Sequence, residues 1–212
     1  YWLNDYAMFM AIKERFNGQS FDNWAEDIKL RWGYSMEYYQ NELKEKIEFY
    51  KFAQYEFYRQ WYKLKKYAND NGVKIIGDIP IYVAYDSADV WSHPELFQMD
   101  DKGKPIAVAG CPPDGFSATG QLWGNPLYKW DYHKQTNYDW WIKRIERSVQ
   151  LYDVVRIDHF RGFDEYYSIP AKDDDAIDGH WEKGPGIDLF NAIKYCLGNV
   201  NIIAEDLGYI TD

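Results

Sequence analysis

The chain has 212 residues, 46% of them hydrophobic and 19% aromatic, with a formal net charge of -10 and a pI near 4.9. That apolar content excludes global disorder and, at this length, favours one large domain. The negative balance suits neither a nucleic-acid surface nor an anionic membrane, and the sequence has no apolar run of about 18 residues to span a bilayer.

Taken in chain order, "WLNDYAMFMAIKERF" (Trp2 to Phe16) has apolar residues at helical spacing and Asp5 near its start, which predicts an amphipathic helix. A longer helix is expected from about Ser35 to Ala68, its charges forming a solvated face. "NDNG" closes it, with Gly72 just past its end. "VKIIGDIPIYV" (Val73 to Val83) reads as a short buried strand. From Ala84 to about Trp130 no periodicity emerges, and Pro, Gly, Asp and Trp are dense; loops this long are usually functional. Asn137 to Tyr152 is predicted helical, with Trp140, Trp141 and Ile145 on its apolar side. "YDVVRID" is the next strand, and a second irregular stretch runs from about Arg161 to Pro185. Gly186 to Gly198 is a helix closed by glycine, and "VNIIAEDLG" is the last strand. Tyr1 is not a methionine and Asp212 follows directly on a strand, so the chain reads as a piece of a longer protein.

Strands alternating with helices predict an α/β fold with a parallel sheet. Three strands, "KIIGD", "VVRID" and "IIAED", each meet a carboxylate at the C-terminal end, the end that carries the active site of a (β/α)8 TIM barrel. A doubly wound sheet also binds ligands there, but no glycine-rich nucleotide fingerprint is present. The period of two puts Arg156 and Asp158 on one face and Val155 and Ile157 on the other. It likewise pairs Ile76 with Asp78 and Ile203 with Glu205, with Asp206 pointing away.

Two carboxyl groups at one barrel mouth suit retaining cleavage of a glycosidic bond, which needs a nucleophile and a proton donor roughly 5–5.5 Å apart. Arg156 offers Asp158 a cation on its own face, which favours the ionised form. No such cation is close to Glu205 in sequence, and partial burial suits a general acid. Asp158 is therefore read as nucleophile and Glu205 as acid/base; an isolated Arg-x-Asp would instead be a structural ion pair.

The aromatic excess of 10 Trp, 20 Tyr and 11 Phe is mostly core material. Trp123 stands among turn formers and is read as a sugar-stacking ring, whereas Trp91, Trp140, Trp141 and Trp181 are assigned to packing or to no role. His159 is expected to point away from Asp158 if the strand continues, as a loop-holding residue or a substrate contact. His93, His133 and His180 lack metal-like spacing, and "KDDDAIDG" fails the calcium-loop pattern at Ile177. Cys111 and Cys196 have no neighbouring base and make no disulfide framework, which fits a reducing, cytoplasmic setting.

"VVRIDHFRGF", "IIAEDLG", "GDIPIYVAYDSADVW" and "PPDGFSATGQLWGNPLY" together resemble glycoside hydrolase family 77, the 4-α-glucanotransferases, across almost the whole chain. The resemblance implies a (β/α)8 barrel with helical insertions and a retaining transfer of α-1,4-glucan segments among maltooligosaccharides, with no cofactor or metal. It places Asp158 as nucleophile, Glu205 as acid/base, Arg156 as the nucleophile's partner and Asp78 at the site floor. Asp114, Gln121, Trp123 and Asn125 become substrate contacts on a mobile loop, and "HWEKGPG" lies near the donor side. The family's third carboxylate, in an His-Asp motif on a later strand, has no counterpart here. The expectation is thus a central segment (1–212) of one catalytic domain, inactive alone. Its residues 1–72 are mostly helical, and 73–212 form strand/helix units with long active-site loops. A related α-glucan hydrolase, or a non-catalytic glucan-binding fragment, is the alternative; no oligomeric state is implied.

Overall fold

The computed structural model describes residues 2–205. Helix α1 (Trp2–Arg15) buries Ala7, Met8, Phe9, Ala11 and Ile12, and the Phe9 ring packs on Trp24 and Trp91. The short α2 (Glu26–Lys29) leads into α3 (Gly33–Glu42) and α4 (Lys44–Asp70). The single helix expected from Ser35 to Ala68 is therefore two. The break falls at Leu43 (φ -103, ψ 16), whose side chain joins Ile47 in the core, so tertiary burial overrides continuous helix propensity. The end of α4 is as read. Gly72 takes φ +76, and the N–H groups of Gly72 and Val73 bond the carbonyls of Asn69 and Ala68, a Schellman closure.

Beyond α4 come β1 (Ile76–Pro80), α5 (Ala88–Ser92), β2 (Ala107–Cys111), β3 (Gln121–Pro126), α6 (Trp130–Gln135) and α7 (Asp139–Leu151). They are followed by β4 (Val154–Asp158), β5 (Glu165–Pro170), β6 (His180–Lys183), α8 (Ile187–Leu197) and β7 (Ile202–Ala204). β1, β4 and β7 form a parallel sheet in the order β1-β4-β7. Val155 and Ile157 are both 0% exposed, in one core with Trp141 and Ile145 of α7 and Leu189 and Ile193 of α8. Ile76, Asp78, Asp158 and Ile203 are exposed, and Arg156 lies between.

Gly77 on β1 has no room for a side chain: a Cβ would stand 2.0 Å from the Tyr152 ring. That ring is held by Trp61 of α4, 5.9 Å away edge-to-face, whose indole N–H donates to the Leu151 carbonyl at 2.8 Å. The long helix is thus fastened to the segment that enters β4.

The two stretches that read as irregular hold a second sheet, antiparallel, in the order β3-β2-β5-β6. β2 and β5 are buried along most of their length, so the alternation that marks a half-exposed strand is absent. The β2–β3 register also shifts between Val108 and Gly110. Trp91 and Trp141 are buried and Trp140 half-buried, as packing requires. Trp181 departs from that: it lies partly exposed on β6, with the Arg161 guanidinium 4.2 Å from its ring. Among the described residues no helix is long and apolar enough to cross a membrane.

His133 of α6 is fully buried among the rings of Tyr128, Trp130 and Trp140. Its Nε2–H donates to the Leu96 carbonyl at 3.1 Å, and Nδ1 has no partner. Burial disfavours the imidazolium and lowers the pKa to about 4, against about 6.5 in an unfolded chain. The neutral, buried ring therefore contributes its full stability above pH 6.5. That contribution fades as pH falls toward 4, by about 3 kcal/mol in all. The Leu96 carbonyl also accepts the Lys129 N–H at 2.8 Å, so it stays paired without the imidazole. Urea unfolding of His133→Phe between pH 4 and 8 should accordingly show a flatter stability profile than the parent, with the two diverging below pH 6.5.

Candidate active site

The site begins with β4. Ladder pairing sets Asp78 beside Arg156 and Pro80 beside Asp158, and on the other side Arg156 beside Ile203 and Ile157 beside Ala204. The pairing continues one step past β7. The Glu205 N–H donates to the Ile157 carbonyl at 3.1 Å, and its carbonyl accepts the Phe160 N–H at 3.3 Å. Glu205 thus stands opposite Asp158 on the neighbouring strand end, where strands run about 4.8 Å apart.

Arg156 occupies the middle of this face. One terminal nitrogen donates to Asp78 Oδ1 at 2.8 Å and the other to Asp158 Oδ1 at 3.4 Å. The hydrogen bond to Asp78 raises the Arg156 pKa first, and the charges of Asp78, Asp158 and Glu205 add to it. One cation is shared by two carboxylates in an open position. Such exposed pairs are screened by solvent and contribute little to stability, and the arrangement matters instead for where charge is held. Asp158 is half exposed, whereas Glu205 is only 9% exposed. Its Oε2 accepts the His159 N–H at 2.8 Å, and Oε1 is buried without a partner.

His159 does not continue the strand. It adopts φ 52, ψ 47 and starts a 3-10 turn, Phe160–Phe163, so the expectation drawn from an extended β4 does not apply. Its ring meets Trp123 edge-to-face at 4.9 Å, which brings the β3 segment to the acids. Burial lowers the His159 pKa, against the opposing charges of Glu205 and Asp158. Trp123 is 36% exposed; it also leans on Tyr82 at 6.3 Å, and its indole N–H donates to Gln121 Oε1 at 3.0 Å.

The remaining candidates hold the loop together. Asp114 Oδ1 accepts the N–H groups of Phe116 and Ser117, both at 2.8 Å, and the Asn125 amide donates to the Val83 carbonyl at 2.9 Å. The structure thus brings Asp78, Arg156, Asp158, His159, Glu205, Trp123 and Gln121 into one neighbourhood. It engages Asp114 and Asn125 in backbone contacts. Asp206 lies outside the described residues. The sequence reading passed over three residues of this region: Tyr82, Arg161 and Phe116. Phe116 is fully exposed at the loop tip. A large ring within "PPDGFS" carries the same signal that singled out Trp123, an aromatic side chain among turn formers. Among the described residues no cluster of His, Cys, Asp and Glu has the makings of a metal site.

A parallel sheet with carboxylates at its strand ends, faced by a tryptophan of the second sheet, defines an α/β protein with an acidic strand-end face. The chain belongs to the 4-alpha-glucanotransferase family, glycoside hydrolase family 77, whose model matches residues 1–212. A 4-alpha-glucanotransferase of Clostridium butyricum is 54% identical over 212 residues, covering 100% of this chain and 44% of the relative. One from Streptococcus pneumoniae serotype 4 is 52% identical over 212 residues, covering 100% of this chain and 42% of the relative. The structure of an amylomaltase from Streptococcus agalactiae in complex with acarbose matches with a TM-score of 0.97 at 50% identity, over 100% of this chain and 43% of that one. The chain therefore spans less than half the length of the curated relatives it matches.

Proposed function

We propose that this chain is the central part of a (β/α)8 barrel, and that the whole protein transfers α-1,4-glucan segments between maltooligosaccharides by a retaining double displacement. The observation that carries the reading is the ladder step that sets Glu205 opposite Asp158, with Arg156 bonded to Asp158. In the first half-reaction an Asp158 oxygen attacks the anomeric carbon as the glycosidic bond breaks, and Glu205 gives its proton to the departing sugar oxygen. In the second, Glu205 takes the proton of an acceptor 4-OH, that oxygen attacks the anomeric carbon, and Asp158 leaves. The cycle balances with two carboxyl groups and calls for no cofactor.

One arm of the Arg156 guanidinium donates to Asp158, and Asp78 fixes the other. Trp123 offers a ring face to a sugar, Gln121 lies beside it, and Asp114, Asn125 and His159 shape the surrounding loop. The named activity of the Clostridium butyricum relative and the acarbose held by the Streptococcus agalactiae amylomaltase support α-glucans as the ligand class. Both cysteines are free thiols, which suits a reducing, cytoplasmic location.

Incubation of the full-length protein with maltotriose tests the reading. Transfer yields glucose together with longer oligosaccharides; shorter sugars alone would make it a hydrolase. Asp158→Ala should lower turnover by about a thousandfold or more while sparing maltooligosaccharide binding. Loss of binding with no activity to lose would point to a glucan-binding protein.

A lysine ammonium gathers its donors at one point and lacks the planar fork whose two terminal nitrogens serve Asp78 and Asp158 separately. Arg156→Lys should therefore reduce kcat/KM about a hundredfold, or about 2.7 kcal/mol of barrier, with most of the loss in kcat. Steady-state kinetics on maltotriose measures it.

A further inference from the structure

β4 stops at Asp158 because His159 turns into the left-handed region, φ 52 and ψ 47. That conformation is unfavourable for a residue with a Cβ, although Asn, Asp and His enter it more readily than others. The turn changes what the backbone donates to. The ladder bond to the Glu205 carbonyl comes from Phe160, while the His159 N–H reaches the Glu205 side chain at Oε2, 2.8 Å away. Among the described residues this is the one hydrogen bond to that carboxyl group, and Oε1 has none. Among the described residues the imidazole has no hydrogen-bond partner for Nε2, which is buried, and the ring sits edge-on to Trp123 at 4.9 Å.

We propose that His159 is a positioning residue for Glu205. Its left-handed backbone anchors one carboxyl oxygen so that the other serves proton transfer, and its ring, seated on Trp123, holds that backbone in place. The inference rests on the reading of Glu205 as acid/base and adds what orients it.

A mispositioned acid slows only reactions whose leaving group needs a proton. Maltotriose loses a sugar oxygen that does; α-maltosyl fluoride loses fluoride, which needs far less help. In the full-length protein, His159→Val forces a β-branched residue into the left-handed region and should displace the N–H. It should slow the first turnover of maltotriose by about thirtyfold or more, part of the roughly hundredfold or greater loss expected when general acid catalysis is removed outright, and fluoride release by less than about threefold. His159→Asn tolerates the conformation and should recover most of the maltotriose rate, to within about fivefold of the parent, the remainder being the lost seat on Trp123. His159→Ala, with milder strain, should show the same substrate split at smaller size and serves if the valine variant does not fold.

Equal losses on both substrates, or a loss in His159→Asn as large as in His159→Val, would overturn the proposal. Glu205→Gln tests the underlying reading separately. It should lose far more on maltotriose than on the fluoride; equal losses there would remove Glu205 as the acid whatever the His159 variants do.

Discussion

Val155 and Ile157 lie in a strand whose neighbours on one side are the apolar faces of α7 and α8, and their burial decides where the charges go. Turning β4 over would expose both, at about 1.5–3 kcal/mol each, and would press Arg156 and Asp158 into the same core, at several kcal/mol per ion. Against that, the Arg156 bridges stand in the open, where solvent screening leaves such pairs little effect on stability. The hydrophobic side of the strand therefore fixes the polar side, and the ion network follows the packing. Parallel pairing carries the same choice to β1, which brings Asp78 to Arg156, and past β7, which brings Glu205 opposite Asp158.

The second sheet has a different task. It delivers residues far from β4 in sequence to the end of that strand. Gly110 lets β2 and β3 close, since a Cβ there would come within 2.1 Å of the Gln121 carbonyl oxygen. β3 then carries Trp123 to His159, and the Asn125 amide ties the same strand to Val83 beyond β1. Tyr82, between these points, is buried and gives Trp123 its second aromatic neighbour. A rigid aromatic floor beneath a partly exposed tryptophan is what a stacking platform needs, because the ring must not fold away when no ligand holds it.

The strands of the parallel sheet were legible because each is a short apolar run ending at a charge, and period two then assigned the faces of Arg156, Asp158 and Val155 correctly. The antiparallel sheet was not legible. "AVAGC" and "EYYSIP" are buried along most of their length, so they show no alternation, and their partners lie 10 to 63 residues away in sequence. The break at Leu43 was equally hidden, since both sides of it have strong helix formers and only the core below explains it. At the site, the acids and Trp123 could be named from pattern. The turn at His159 could not, because nothing in "RIDHFRG" shows where an extended backbone ends, and the hydrogen bond to Glu205 exists only once it does.

That turn also distinguishes the two acids by the kind of partner each receives. Asp158 is bonded to a guanidinium, a permanently charged donor placed beside the group that acts as nucleophile and leaving group in the proposed reaction. In the proposed reaction Glu205 carries a proton in one half-reaction and releases it in the other. A cation bonded directly to it would oppose the first of these states. A main-chain N–H is neutral, does not titrate, and orients the group without swinging away, so it fits an acid that must alternate. The division depends on a single residue. A regular strand at His159 would return its N–H to the ladder and leave Glu205 with no fixed donor among the described residues, while Asp158 kept its arginine.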